Sequence, residues 1–209
     1  MDIIPAILAK NTDELIELQK KIGTVASLVQ VDIADGKFVS SATIGLEEVQ
    51  RVLGSYLLQV HLMVQNPEEI IPFWTAETNV ESVIVHVEAT IDTARAIGLV
   101  KSAGKSAGVA VNPGTDVSRL DSILDKVDFV QFMTVEPGAY GSPFVSESIE
   151  RISVFHAAHP GIIIQADGAV SPENIAQLHA AGVRRFAVGS FLVKSENVGK
   201  AIAELQAKL

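Results

Sequence analysis

Residues 29–39 read VQVDIADGKFV. Val29, Val31 and Ile33 alternate with Gln30 and Asp32, and Asp35-Gly36 ends the alternation. Successive side chains on a strand point to opposite faces. The three β-branched residues therefore share one face, and the amide and carboxylate share the other. Asp-Gly is turn chemistry, so the segment reads as a strand that stops at a loop. Its polar face either meets water or looks into a site, and the rest of the chain decides which.

Working outward, similar apolar runs recur at Ile3–Ala6, Leu28–Asp32, Leu57–Met63, Ser82–His86, Ser106–Val111, Phe129–Met133, Ile162–Ala166 and Arg185–Val188. Helical patterns lie between them, at Thr12–Ile22, Leu46–Leu53, Pro67–Thr75, Thr93–Ala103, Val117–Lys126, Glu147–Ala158, Pro172–Ala181 and Val193–Lys208. Asn66-Pro67 and Ser171-Pro172 each supply a cap residue followed by Pro, a helix-start signal, and Gly104 and Gly182 are stops. Strict alternation of strand and helix predicts a parallel sheet. Eight units in 209 residues fit a single (β/α)8 TIM barrel over 1–209, since such barrels run from about 200 residues upward. A doubly wound open sheet is the alternative. It would want a Gly-rich dinucleotide loop after the first strand, where this chain has PAILAKN.

The net charge of -9 argues against a nucleic-acid binder, which needs a basic stripe. It leaves room for a small anion, because backbone amides can bind phosphate without Lys or Arg. The absence of cysteine excludes disulfides and thiolate metal sites. No secretory signal is visible, and no apolar run approaches the ~20 residues that span a bilayer. A cytoplasmic protein with no membrane partner is expected.

In such a barrel, inward residues at the C-terminal strand ends carry the chemistry. Gln30 and Asp32 then face the interior. LQVHLM puts Gln59, His61 and Met63 on one face, FVQFMT pairs Gln131 with Met133, and IIIQADG pairs Gln165 with Asp167. Singly, each has an ordinary explanation: a turn cap, a hydrogen-bonded core histidine, a gap-filling methionine. Together, Asp32, His61 and Asp167 each end a strand two residues after an inward Gln. Two carboxylates and an imidazole can hold a divalent metal. The carboxylates can also remove and return a proton. Three Gly-bearing loops, EPGAYGS (136–142), ADGAVS (166–171) and AVGS (187–190), follow the sixth, seventh and eighth strands, where barrels commonly bind phosphate. Ser171 and Ser190 are expected to aim helix N-termini at that place.

PAIL, VDIADGKFV, VHLMV, VHVEAT, MTVEPGAYGSPF and ADGAVSPENI stand in the order and spacing of ribulose-phosphate 3-epimerase motifs, from Ile4 to about Leu192. The chain resembles that family, and the resemblance implies a phosphate-binding (β/α)8 barrel of carbohydrate metabolism. It implies interconversion of D-ribulose 5-phosphate and D-xylulose 5-phosphate by proton transfer at C3, with Asp32 and Asp167 as the acid/base pair. It implies a divalent metal (Zn, Fe, Mn or Co) on Asp32, His61, Asp167 and the position held here by Gln30. Met63 and Met133 match residues that line the reacting carbons. Gly141, Gly168, Gly189 and Ser190 match phosphate-binding positions, with Gly138, Ser142 and Ala169 expected to complete the substrate-binding set. A homo-oligomer is possible in such a family.

The chain departs from the family pattern at several places. Gln30 replaces the first metal-binding His, Ala6 replaces a Ser, Ala34 replaces a methionine, and Tyr140-Gly141 stands for paired glycines. Gln59 and Gln165 stand where acidic residues are usual. An amide oxygen coordinates a hard cation more weakly than imidazole does and suits zinc poorly. Two other readings follow. One is a sugar-phosphate-binding barrel without catalysis, or with altered specificity, that has lost the metal. The other is a related decarboxylase or aldolase, but no inward strand-end Lys is found for either chemistry. His156, His159 and His179 are expected on the surface, and the last helix is expected against the first.

Overall fold

The computed structural model describes residues 1–209. Its strands are β1 (Asp2–Ile7), β2 (Leu28–Ala34), β3 (Leu57–Met63), β4 (Val80–His86), β5 (Ser106–Val111), β6 (Phe129–Met133), β7 (Ile163–Asp167) and β8 (Arg185–Val188). Each pairs in parallel with the next, and β8 returns to β1 through Asp2–Arg185 and Pro5–Val188. That last pairing closes the barrel and rules out the open sheet.

The helices are α1 (Thr12–Ile22), α2 (Leu46–Leu53), α3 (Ile71–Thr75), α4 (Thr93–Ser102), α5 (Glu147–Ala158), α6 (Ile175–Ala180), α7 (Ser190–Lys194) and α8 (Val198–Gln206). Four helical segments differ from expectation, each for a local reason. Val117–Lys126 forms only a 3-10 turn over Val117–Leu120. Asp121, Ser122 and Asp125 compete with the backbone there, and so short a segment does not recover its nucleation cost. Pro67–Thr75 splits into a 3-10 turn and α3, because Pro72 has no N–H to continue the ladder. Pro172 lies in a turn, and α6 begins only at Ile175; Asn174 Oδ1 accepts from Ser171 N at 2.9 Å. The last segment breaks at the extended Ser195, and Asn197 caps a new helix by accepting from Lys200 N at 2.9 Å.

The outward faces of the strands form the main core. Val29, Val31, Val60, Val83 and Val109 lie buried beneath Leu15, Ile97 and Leu178 of the helices. α8 packs beside α1, as its amphipathic pattern implies. Inside the barrel, Phe129 fills the floor with Ile84 and Ala110. The Arg185 guanidinium lies 5.0 Å from the Phe129 ring centre. This plug leaves the C-terminal mouth as the part of the interior open to chemistry. No helix is long and apolar enough to cross a membrane.

Candidate active site

Strand register builds the site. Asp32 stands opposite His61, and Gln30 stands opposite Gln59, across the β2–β3 pair. Met133 stands opposite Asp167, and Gln131 opposite Gln165, across β6–β7. All eight side chains are buried. The polar face of VQVDIADGKFV therefore looks into the barrel, not into water.

The carboxylates and the imidazole meet. His61 Nδ1 lies 3.0 Å from Asp32 Oδ1 and 3.4 Å from Asp167 Oδ2. Asp32, His61 and Asp167 offer one ligand atom each, all within 4.8 Å of one another, a group that could hold a metal ion. Gln30 does not join it with an oxygen. Its Nε2 donates to Asp32 Oδ1 at 2.8 Å and to Asp167 Oδ2 at 2.7 Å, and lies 3.5 Å from His61 Nδ1. The amide nitrogen stands among the ligand atoms, where a cation would require an oxygen or a ring nitrogen. As arranged, the four residues do not fit as one ligand set.

A layer of glutamines lies below. Gln165 Nε2 lies 3.0 Å from Gln30 Oε1, 2.7 Å from Gln59 Oε1 and 2.7 Å from Gln131 Oε1, and its two N–H groups serve two of these three oxygens at a time. Gln131 Nε2 donates to Asp167 Oδ2 at 3.0 Å and approaches His61 Nε2 at 3.2 Å. Beyond His61, His86 Nε2 lies 2.9 Å from His61 Nε2, and His86 Nδ1 lies 3.3 Å from Glu88 Oε2.

Electrostatics follow from this burial. Burial pushes the Asp32 carboxyl up to about 7, against the amide hydrogen bond from Gln30. Asp167 also rises to about 7, from burial and then from the neighbouring Asp32 charge. Burial holds His61 below the usual imidazole range and takes His86 down to about 4. Near neutrality the carboxylates can share one proton, so one acts as base while the other is an acid.

The pocket above is lined by Asp32, His61, Met63, Met133, Gly138, Gly141, Ser142, Asp167, Gly168, Ala169, Gly189 and Ser190. Of the residues expected at the site from the sequence, Gln30 and Ser171 are not in its lining, Gln30 because it stands two residues earlier on β2 than Asp32; the others line it. Ser190 opens α7, whereas Ser171 lies ahead of a turn three residues short of α6. Asp35 shapes the β2 loop: its Oδ1 accepts from Lys37 N and Phe38 N, and its Oδ2 accepts from Gln65 N. Gly168 has φ 119°, and a Cβ there would stand 2.5 Å from Val135 Cγ2. Only glycine fits that turn.

Sequence reasoning missed two features. Tyr140 reaches across the mouth, its hydroxyl accepting from Leu8 N at 2.7 Å and donating to Ala6 O at 3.0 Å. It also occupies the space beside Gly189, where a Cβ would approach its ring to 2.7 Å. The glutamine layer was visible as four inward amides, but not as one network. His156, His159 and His179, expected on the surface, are half-buried, and the His156 ring covers Gly182.

The model of the ribulose-phosphate 3 epimerase family matches residues 2–193. The chain belongs to this family. The chloroplastic ribulose-5-phosphate-3-epimerase of Arabidopsis thaliana is 34% identical, over 99% of this chain and 77% of that protein. The ribulose-phosphate 3-epimerase of Aquifex aeolicus is 32% identical, over 87% of this chain and 84% of that one. Among solved structures, a 3-hexulose-6-phosphate synthase superposes with a TM-score of 0.73 at 16% identity, covering all of both chains. A 3-keto-L-gulonate-6-phosphate decarboxylase from Vibrio cholerae does so with a TM-score of 0.73 at 14% identity, over 100% of this chain and 96% of that one. At that identity the likeness concerns the fold. The ribulose-phosphate 3-epimerase family is thus carried here on a closed barrel with both strand-end aspartates in its mouth.

Proposed function

We propose that this chain is a ketose-phosphate 3-epimerase that interconverts D-ribulose 5-phosphate and D-xylulose 5-phosphate. The observation that carries the reading is the pair Asp32 and Asp167, both buried, both bonded to one amide, and both facing a pocket ringed by Met63, Met133 and the Gly loops. The relatives named ribulose-5-phosphate-3-epimerase and ribulose-phosphate 3-epimerase, which match 99% and 87% of this chain, support the substrate.

In this reading the ionised carboxylate takes the proton from C3, and the C3–H electron pair moves into an enediolate with the C2 carbonyl. The protonated carboxyl then delivers its proton to the opposite face of C3, which inverts the centre and leaves the first carboxyl protonated and the second ionised, the pair still holding one proton. The reverse reaction restores it. Burial that raises both carboxyls to about 7 suits this exchange of roles, because neither is a much stronger acid than its partner. Met63 and Met133 present apolar walls to the reacting carbons and exclude water. Gly141, Ser142, Gly168, Ala169, Gly189 and Ser190 would receive the phosphate, through backbone amides and hydroxyls with no Lys or Arg in the lining.

C3 proton exchange with ribulose 5-phosphate in D2O, followed by NMR, tests the reading. It is run on metal-stripped protein and again with added Mn, Fe, Co, Zn or Mg. Loss of the C3 proton signal with xylulose 5-phosphate appearing is the expected result. Binding of the sugar phosphate with no exchange under any condition would replace the enzyme by a sugar-phosphate binder. The retained carboxylate pair disfavours that alternative.

A further inference from the structure

The orientation of one amide decides what the carboxylate pair can hold. Gln30 stands at the position that the family resemblance assigns to a metal ligand, and only its Oε1 could coordinate a hard cation. That oxygen points the other way, accepting from Gln165 Nε2 at 3.0 Å. An amide is oriented by its partners, and here two carboxylate oxygens on one side, at 2.8 and 2.7 Å, and an amide nitrogen on the other set the same orientation.

Turning Gln30 over is resisted through the whole layer. The flipped Nε2 would face Gln165 Nε2, donor against donor. Turning Gln165 as well would set its oxygen against Gln131 Oε1, now 2.7 Å from Gln165 Nε2. Gln131 is itself held, because its Nε2 donates to Asp167 Oδ2 at 3.0 Å and a flip would put an oxygen on that carboxylate. Only Gln59 has a free choice. Its Nε2 and Gln165 Oε1 are the two amide atoms of the layer without partners, and the alternative polarity would merely exchange them for Gln59 Oε1 and Gln165 Nε2. The alternative leaves as many orphans and adds like-pole contacts, in an interior where such contacts are weakly screened.

We propose that in this chain the Gln30 amide takes the place of the metal ion, its two N–H groups holding Asp32 and Asp167, and that the Gln165–Gln131 network locks it in that orientation. Two N–H donors neutralise part of the carboxylate repulsion, as a cation would. Because the amide occupies the place between the carboxylates, the site works without a metal, although its N–H groups polarise a substrate oxygen less than a cation does. The inference rests on the epimerase reading for its catalytic consequence, but its binding consequence is independent of any activity.

The first measurement is metal content of the intact protein, purified without chelator from cells grown with Mn, Fe, Co and Zn, followed by Co(II) titration watched by absorbance and by calorimetry. Substoichiometric metal and no saturable Co(II) bands are expected. One equivalent of retained metal, or stoichiometric Co(II) binding by the unmodified protein, would overturn the proposal. Gln30→His is expected to gain Co(II) affinity by at least about tenfold, the scale on which ligand-shell changes act. Gln165→Glu replaces the central donor by an acceptor, so Gln30 should turn its nitrogen down and its oxygen up, and Co(II) binding should appear there too. Circular dichroism checks that each variant folds. A folded Gln165→Glu that stays metal-free would overturn the network's role. C3 exchange in excess EDTA separates the two readings. Exchange that persists supports both, and exchange that returns only with added metal overturns this inference while keeping the epimerase. If no exchange occurs under any condition, the epimerase reading fails while the metal titration still decides the present one.

Discussion

Asp32 and His61 stand directly across from each other in the β2–β3 register, and their side chains meet at 3.0 Å between Oδ1 and Nδ1. The contact joins residues 29 apart in sequence. Around it the barrel gathers Asp167 from the far side of the chain, and the resulting cluster makes several outcomes measurable.

Removing either proton carrier should stop the reaction without unfolding the chain. Asp32→Asn and Asp167→Asn keep the shape of each carboxyl but cannot take the C3 proton. Each is expected to lower epimerisation by at least about a hundredfold, the usual contribution of a positioned acid or base. Thermal stability should hold or rise, because each change removes a buried negative charge. Wild-type exchange rates in both variants would remove these residues from the mechanism.

Stability of the metal-stripped protein should fall across neutrality. Asp32 and Asp167 titrate near 7 in the fold against an ordinary 3.8, so between these values the folded state binds more protons than the unfolded one. Stability at these groups therefore declines as pH rises through that window. His86 acts oppositely: held near 4 against 6.5, it adds stability as pH rises between those values. The slopes oppose each other below about 6.5, and above it only the carboxylates still titrate. Calorimetry in EDTA should show Tm dropping between about pH 6.5 and 8. The Asp32→Asn/Asp167→Asn double variant should lose that drop. A flat or rising wild-type profile there would contradict the raised carboxylates.

Tyr140 fastens the β6 loop over the mouth. Tyr140→Phe removes the bonds to Leu8 N and Ala6 O. The unpaired Leu8 N–H alone should cost about 1–3 kcal/mol in the closed arrangement. Amide exchange over residues 136–142 should accelerate, and KM should rise more than kcat falls. Unchanged exchange in that loop would mean that other contacts hold it.

Gly168→Ala tests the β7 loop. Its Cβ would meet Val135 at 2.5 Å, on a backbone with φ 119°. Strain of about 1–3 kcal/mol is expected, with a larger KM for sugar phosphate. Gly104→Ala is the control, since φ is 73° there and no atom lies within 4 Å of the added Cβ. Equal KM values for the two variants would remove the β7 loop from substrate binding.

The order of strands and helices and the inward face of each strand were legible in the sequence, and so were the two carboxylates and the imidazole at the strand ends, though not Tyr140 reaching over them. These are local properties. A period of two sends Gln30 and Asp32 to one side whatever else happens, and a barrel turns every such side toward a common axis. Helix ends were less legible where Pro72, Ser195 and Asn174 divided or delayed a pattern, since caps and missing N–H groups override periodicity over a few residues. Only the tertiary structure decided that Gln30 presents nitrogen to the carboxylates. The two ends of an amide differ little in shape, and their choice is made by hydrogen-bond partners. Here those partners are Asp167, which is 137 residues away, and Gln165, which is 135 away. The same is true of the raised carboxylates, because burial and the distance between charges exist only once the barrel has closed.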